Sequence, residues 1–255
     1  EGGGGVGHVV GGEMNLPDFT PLVDFFLPSR CGLCGLGATV RGLCASCRGE
    51  FLPWRQEEAC RRCGDRLTPA ECEGICAQCA LKPPRFEAVS AGFWYEPPLD
   101  ALIHRFKYGA DLRLGRALAL AMAQTMLPPL AIDVLLPVPL APRRQRSRGF
   151  NQAAVLTRDL GAAWRLPVLL DAVQRRRETP HQARLHASAR RENLRGAFAV
   201  ERARAIAGRR VGVVDDVLTT GATLNALAEV LLESGAAAVQ GIVLARAASP
   251  VRLTG

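Results

Sequence analysis

Lysine is nearly missing from this chain: of its 32 basic side chains, only Lys82 and Lys107 are not arginine. The net charge of +8 therefore reflects arginine usage across the chain as much as selection for one partner, and leaves nucleic acid and polyphosphates both open as ligands. Aromatic residues make up only 5% of the sequence, too few for a stacking platform that runs along a single strand. A long apolar run is missing too. The richest region, Leu118 to Leu140, is interrupted by Gln124, Pro128, Pro129 and Asp133, so no membrane span is expected. The sequence contains no GxxxxGK[ST], which excludes a P-loop, and Gly5-Val6-Gly7 lies in a glycine-rich stretch with no strand before it. The first residues are acidic and glycine-rich, without the basic start and apolar core of a signal peptide, so a cytoplasmic location is expected. Residues 1–16 read as a disordered tail that cannot pack a core.

Cysteine, by contrast, is concentrated. All nine lie between Cys31 and Cys79, and eight form four CxxC pairs: Cys31/Cys34, Cys44/Cys47, Cys60/Cys63 and Cys76/Cys79. Each CxxC brings two thiolates to one metal from a single tight turn, and the glycines after Cys34 and Cys63 suit the positive φ such a turn needs. Nine residues separate the first two pairs and twelve the last two, enough in each case for a hairpin that returns a second knuckle to the first. Two successive four-cysteine zinc ribbons over residues 17–82 follow, with both zincs structural and Cys72 left over; crossed pairing of the knuckles stays open. Disulfides fit less well with the regular spacing and a cytoplasmic setting. Lys82-Pro83-Pro84-Arg85 reads as a linker, and a second domain is expected over 86–255.

Within that domain, Val211 to Leu224 is the informative stretch. Val211-Gly212-Val213-Val214 suits a buried strand, Asp215 and Asp216 follow, and Thr219-Thr220-Gly221-Ala222-Thr223 opens a helix. Small and hydroxylated residues at a helix N-terminus aim N–H and O–H donors at one point, where the helix dipole favours an anion. Two carboxylates at the end of a central strand can accept hydrogen bonds from ribose hydroxyls, so the combination suggests a ribose 5-phosphate. VVDDVLTTGAT resembles the phosphoribosyl pyrophosphate (PRPP) motif of type I phosphoribosyltransferases, and PVPL…RGFNQA with FKYG resembles the ComF branch of that group.

The resemblance implies an α/β fold of the type I phosphoribosyltransferase kind, a Rossmann-like, mostly parallel sheet with helices on both faces, preceded by the small double zinc ribbon. It implies that Asp215, Asp216, Thr219, Thr220, Gly221, Ala222 and Thr223 bind PRPP, and that Asp215, Asp216, Lys107, Arg148 and Arg191 form the catalytic set. It further implies Mg²⁺ with PRPP, pyrophosphate release, an unnamed acceptor, and a link to competence and DNA uptake through DNA or a protein of the competence machinery. The same features leave room for a non-catalytic adaptor that binds PRPP or DNA.

Other elements read directly from the residues. Strands are expected at Val89–Tyr95, Asp133–Val138, Val168–Leu170 and Val239–Ala245, and helices at Leu99–Phe106, Asp111–Met126, from Asn151 to about Leu160, and Thr223–Glu233. Arg143, Arg144, Arg146 and Arg148 read as a basic loop over the sheet's carboxyl edge. The polar stretch Arg175 to Phe198, with Thr179-Pro180-His181-Gln182, Arg190-Arg191 and Asn193, is too long for a plain connection and reads as a functional lid or a partly helical segment; the resemblance implies a flexible loop that closes over PRPP.

Overall fold

Valine, leucine and isoleucine at successive positions, with no polar break, make strands that are covered on both faces. The structure, a computed structural model, describes residues 29–36, 38–39, 42–69, 71, 73–128, 131–176 and 196–249, and in it four such strands build one parallel sheet. They are β3 (Ala88–Trp94), β4 (Val134–Pro137), β7 (Arg210–Leu218) and β8 (Ala238–Arg246), in the order β3-β8-β7-β4. In β7, Val211 and Val213 face one core while Val214 faces the other, as the two-residue period of a strand requires.

One face is covered by α3 (Leu99–Tyr108), α4 (Leu112–Thr125) and α6 (Gln152–Trp164), whose Leu102, Ile103, Phe106, Leu118, Met122, Leu156 and Leu160 share a core with Leu135, Val214 and Ile242. The opposite face is covered by α8 (Ala222–Glu233) through Leu224, Leu227, Ala228 and Leu231. Asp111 accepts from the Leu114 amide to start α4, and Asn151 from the Ala153 amide to start α6. Among the described residues no helix is long and apolar enough to cross a membrane.

Before the sheet come β1 (Ser29–Arg30), β2 (Ala38–Thr39) and two short helices, α1 (Ala45–Gly49) and α2 (Ala77–Leu81), each starting directly after the first cysteine of a CxxC pair, Cys44 and Cys76, of which Cys44 accepts from the Cys47 amide. This segment is joined to the α/β body. Pro53 forms an antiparallel bridge with Phe93, the Trp94 amide donates to the Leu52 carbonyl (2.9 Å), and the Trp54 amide donates to the Gly92 carbonyl (3.2 Å). The outer edge of β3 is thereby paired instead of open. Phe51 packs edge-on against Phe93, with ring centroids 5.3 Å apart.

Two expectations change. The strand expected at Val168–Leu170 is reduced to one parallel bridge between Val168 and Leu135, because the chain turns away at once into residues 170–172. The arginine run is a helix and not a loop: α5 (Pro142–Arg148) starts with proline at its first turn and stops at Gly149, whose φ of 75° closes it. Arginine is itself a good helix former, which a reading guided by charge overlooks. Of the long polar stretch, the described ends are paired antiparallel as β5 (Val173–Arg175) and β6 (Phe198–Val200), followed by the short α7 (Ala203–Ile206). The tail, Cys72, Thr179-Pro180-His181-Gln182, Arg190, Arg191 and Asn193 lie outside the described residues.

Candidate functional site

β7 carries its two acids to the carboxyl edge of the sheet. Asp215 is still in register, opposite Val243 of β8, and shares the face of Val211 and Val213; Asp216 lies on the other face, toward the end of α3. The Asp215 Oδ1 accepts from the Asp216 amide (2.9 Å), and the Asp216 Oδ1 accepts from the Val217 amide (2.7 Å), which fixes both rotamers. Burial pushes the Asp215 carboxyl up to about 7, and the neighbouring Asp216 charge pushes in the same direction against the pull of Lys107 and Arg175.

Lys107, at the end of α3, reaches this corner. Its Nζ lies 3.1 Å from the Asp216 Oδ1, and both side chains are largely shielded. Arg148 of α5 stands beside it, with its guanidinium over the Tyr108 ring (4.9 Å to the centroid), one N–H donated to the Tyr108 hydroxyl (3.3 Å) and another to the Gln152 Oε1 (3.1 Å). Gln152 in turn donates to the Lys107 carbonyl (3.4 Å). The fold therefore brings Lys107, Arg148, Asp215 and Asp216 to one end of the sheet from three elements.

Beyond β7 the chain runs through Thr219, Thr220 and Gly221 into α8. Gly221 caps the helix with a left-handed φ of 74°, and the Thr220 hydroxyl accepts from the Ala222 amide (3.4 Å). Thr219 and Thr220 are exposed, while Ala222 and Thr223 are half-buried in the first turn, where amides have no partner inside the helix. A Cβ on Gly221 would meet only the Phe86 ring, at 3.7 Å, so its positive φ is what selects glycine there. Behind the loop, Gly241 of β8 lets Leu224 sit directly on the strand: a Cβ there would lie 2.5 Å from the Leu224 Cδ2. This contact sets how close the N-terminus of α8 lies to the sheet.

Two residues that the sequence reading passes over hold the base of this loop. Arg246, the last residue of β8, is 3% exposed and donates to the carbonyls of Leu218 (3.2 Å) and Thr219 (2.7 Å), and to that of Ala247. It also pairs with Asp65 of the cysteine-rich segment (3.3 Å), which is 2% exposed. Arginine at the end of an apolar strand, VQGIVLAR, is the one sequence signal, and its partners lie far away in the chain.

The eight paired cysteines form two groups, Cys31/Cys34/Cys44/Cys47 and Cys60/Cys63/Cys76/Cys79, each with all ligand atoms within 4.8 Å of one another. Consecutive pairs therefore close on each other, and the knuckles are not crossed. The Cys34–Cys44 and Cys63–Cys76 sulfurs are 4.0 and 3.7 Å apart. A tetrahedron with Zn–S bonds near 2.3 Å has edges of about 3.8 Å. Backbone amides of Cys44, Cys47 and Cys76 point at sulfurs, each at 3.4 Å, as in a metal knuckle. Gly35 and Gly64 have φ of 70° and 67°, the geometry expected after each first pair. In the second group, hydrogen bonds from Cys63 and then Cys79 hold Cys60 far below the usual thiol range, while Cys63 is pushed up to about 12, first by that bond with Cys60, and Cys79 is also pushed up. One thiolate is thus stabilised by its neighbours' protons, the place that a divalent metal takes in a closed four-sulfur site.

Residues 22–80 match the double zinc ribbon domain family, and residues 146–252 match the phosphoribosyl transferase domain family. Fold and site together define a double zinc ribbon, with four-cysteine sites suited to structural zinc, joined to a phosphoribosyltransferase-type α/β domain. The chain is 33% identical over 228 residues to the DNA utilization protein YhgH of Escherichia coli (strain K12), covering 86% of this chain and 98% of that one. It is 34% identical over 235 residues to competence protein F of Haemophilus influenzae (87% and 99%), and 27% identical over 213 residues to competence protein ComFC of Bacillus subtilis (strain 168) (80% and 84%). The chain belongs to the ComF family.

Proposed function

We propose that this chain binds PRPP at the carboxyl edge of β7 and transfers its phosphoribosyl group to an acceptor nucleophile. Supporting this reading above all is the order of groups along one edge: Asp215 and Asp216, the Thr219–Thr223 turn into α8, and Lys107 paired with Asp216. In this reading Asp215 and Asp216 accept from the ribose hydroxyls, and the loop amides with the Thr219, Thr220 and Thr223 hydroxyls hold the 5′-phosphate. Lys107, Arg148 and Arg191 supply positive charge around the diphosphate. The C1–O bond breaks, pyrophosphate leaves with the electron pair, and the acceptor's lone pair forms the new bond at C1 as its proton is lost. Magnesium carried with PRPP would neutralise charge on the diphosphate, and the two carboxyl groups at the end of β7 suit a cation-bearing ligand.

The proposal takes residues 1–16 as a tail, 17–82 as the ribbon domain and 86–255 as the transferase domain, in a cytoplasmic protein. Calorimetry with PRPP and Mg²⁺ tests it. Asp215→Asn together with Asp216→Asn keeps side-chain size and should weaken binding by about 1.5–3 kcal/mol for each lost charge-assisted bond. Wild-type affinity in that folded variant would reduce the stretch to an ordinary strand-to-helix turn. Pyrophosphate release across a panel of bases and amines then identifies the acceptor.

A second reading, a non-catalytic adaptor that touches DNA, is favoured by the names of the relatives and by Arg143 and Arg146, both exposed on α5. It requires DNA affinity that falls steeply with salt, with a log–log slope that loses about 0.7–0.9 for each arginine removed. No DNA binding at moderate salt, with PRPP binding retained, would remove its support.

A further inference from the structure

The guanidinium of Arg246 sits where the second four-cysteine cluster meets the phosphate-type loop, and it bonds to both. Its Nε donates to the carbonyl of Cys63, a cluster residue, at 3.0 Å, and a terminal nitrogen lies 3.3 Å from the Asp65 Oδ2. The other terminal nitrogen serves the carbonyls of Leu218 and Thr219, the last two residues before the loop crest. Asp65 is anchored in turn. It accepts from the Ser249 hydroxyl (2.6 Å) and amide (3.2 Å), while its own carbonyl accepts from the Cys60 amide (2.7 Å) and so closes the knuckle turn. The Gly64 carbonyl between them accepts from the Trp54 indole (2.9 Å).

We infer that Arg246 is a positioning residue through which the second zinc ribbon sets the shape of the phosphate loop, so that metal retention in that cluster and ligand binding at the loop are coupled. The physical reason is the donor geometry. A guanidinium offers five N–H groups in a rigid fork, and here the fork joins Cys63 and Asp65 to Leu218 and Thr219, segments far apart in sequence. If the cluster opens, the Cys63 carbonyl and the Asp65 carboxylate leave their places. A charge that is 3% exposed then has to find new partners, and those at hand are the loop carbonyls it already holds. The first cluster has no such link among the described residues. Its contacts run to α3 and α4, through Arg105 to the Gly32 carbonyl and from Arg48 to Gln124. Coupling between binding sites is reciprocal, so a ligand that fixes the loop must also slow metal loss from the second cluster.

This rests on the PRPP reading of the loop, and two experiments on the full chain separate the two ideas. The first needs no ligand: hydrogen exchange of the peptide over 218–225. Arg246→Lys keeps the charge but loses the fork, and Asp65→Asn keeps every cysteine; both should speed exchange there about tenfold. Cys79→Ser should do the same, whereas Cys34→Ser, in the first cluster, should not. Wild-type exchange in Arg246→Lys and Asp65→Asn, or an equal rise in Cys34→Ser, would overturn the inference.

The second experiment measures zinc release to a zinc-selective chelator with and without PRPP and Mg²⁺. PRPP should slow release of the second cluster's zinc about tenfold, read in Cys34→Ser, and Arg246→Lys should abolish the effect while still folding. A merely structural arginine would not connect ligand to metal. If the wild-type chain binds PRPP and zinc release does not respond, the coupling is wrong. If it binds no PRPP, the functional reading fails and the exchange experiment alone decides the role of Arg246.

Discussion

On the proposed reading, Asp215 serves the ligand at the expense of the fold. Its carboxyl is raised from the ordinary 3.8 to about 7 by burial and by Asp216, so the folded chain holds this proton more tightly than the unfolded chain. The stability linked to it is complete below about pH 4 and is lost as pH rises toward about 7. Asp215→Asn should therefore raise the melting temperature by a few degrees at pH 8, with the gain shrinking toward pH 5, while PRPP affinity falls. Thermal melts at the two pH values check the sign. Lys107→Met acts in the opposite direction. It leaves the shielded Asp216 carboxylate without its cation and should lower stability by about 1–3 kcal/mol in denaturant unfolding, in addition to weakening ligand binding. At Gly221 the backbone and not the space decides: Gly221→Ala meets no close protein atom but has to adopt a φ of 74°, so it should destabilise the loop by about 1 kcal/mol. The placement of the acids at the end of a buried strand and of the threonines and glycine at a helix start was legible because it follows from residues adjacent in the chain. Arg246 and Asp65 were not, because a lone arginine or aspartate acquires a role only from what surrounds it.

At the scale of elements, the ribbons and the sheet were readable for different reasons. A CxxC pair acts within a few residues, so two clusters could be expected from spacing, and the remaining choice between consecutive and crossed knuckles needed the folded geometry. Metal analysis should find two zinc ions per chain, unchanged in Cys72→Ser, and chelation should unfold this segment before the α/β domain. Fewer than one zinc would exclude the double ribbon as a metal domain. The buried strands and α4, α6 and α8 followed from the spacing of apolar residues. α5 was misread as a loop because its helical signals, Pro142 and Gly149, bracket a run whose charge drew attention to function. The short pairing of Val168 with Leu135 could not be foreseen, since one bridge depends on where a neighbouring strand lies and not on local preference.

Across the whole molecule, the ribbon segment is part of the α/β body's packing: residues 52–54 pair along β3, Arg66 lies over the Trp94 ring at 4.5 Å, and Asp65 meets Arg246. Removing one partner of that buried pair, as in Asp65→Ala, should cost about 3–5 kcal/mol. The double variant Asp65→Asn with Arg246→Met should lose less than the sum of the single variants, a non-additivity that urea titrations can measure. The amino-acid sequence by itself determined the two kinds of domain, the eight metal-ligating cysteines and the acid-and-loop stretch, because each is written in residues close together in the chain. Only the tertiary structure decided that Lys107 reaches Asp216, that consecutive knuckles pair, and that the second ribbon stands behind the turn into α8 through Arg246. Those contacts join segments far apart in sequence, and their partners are chosen by the packing of the sheet, which no local pattern encodes.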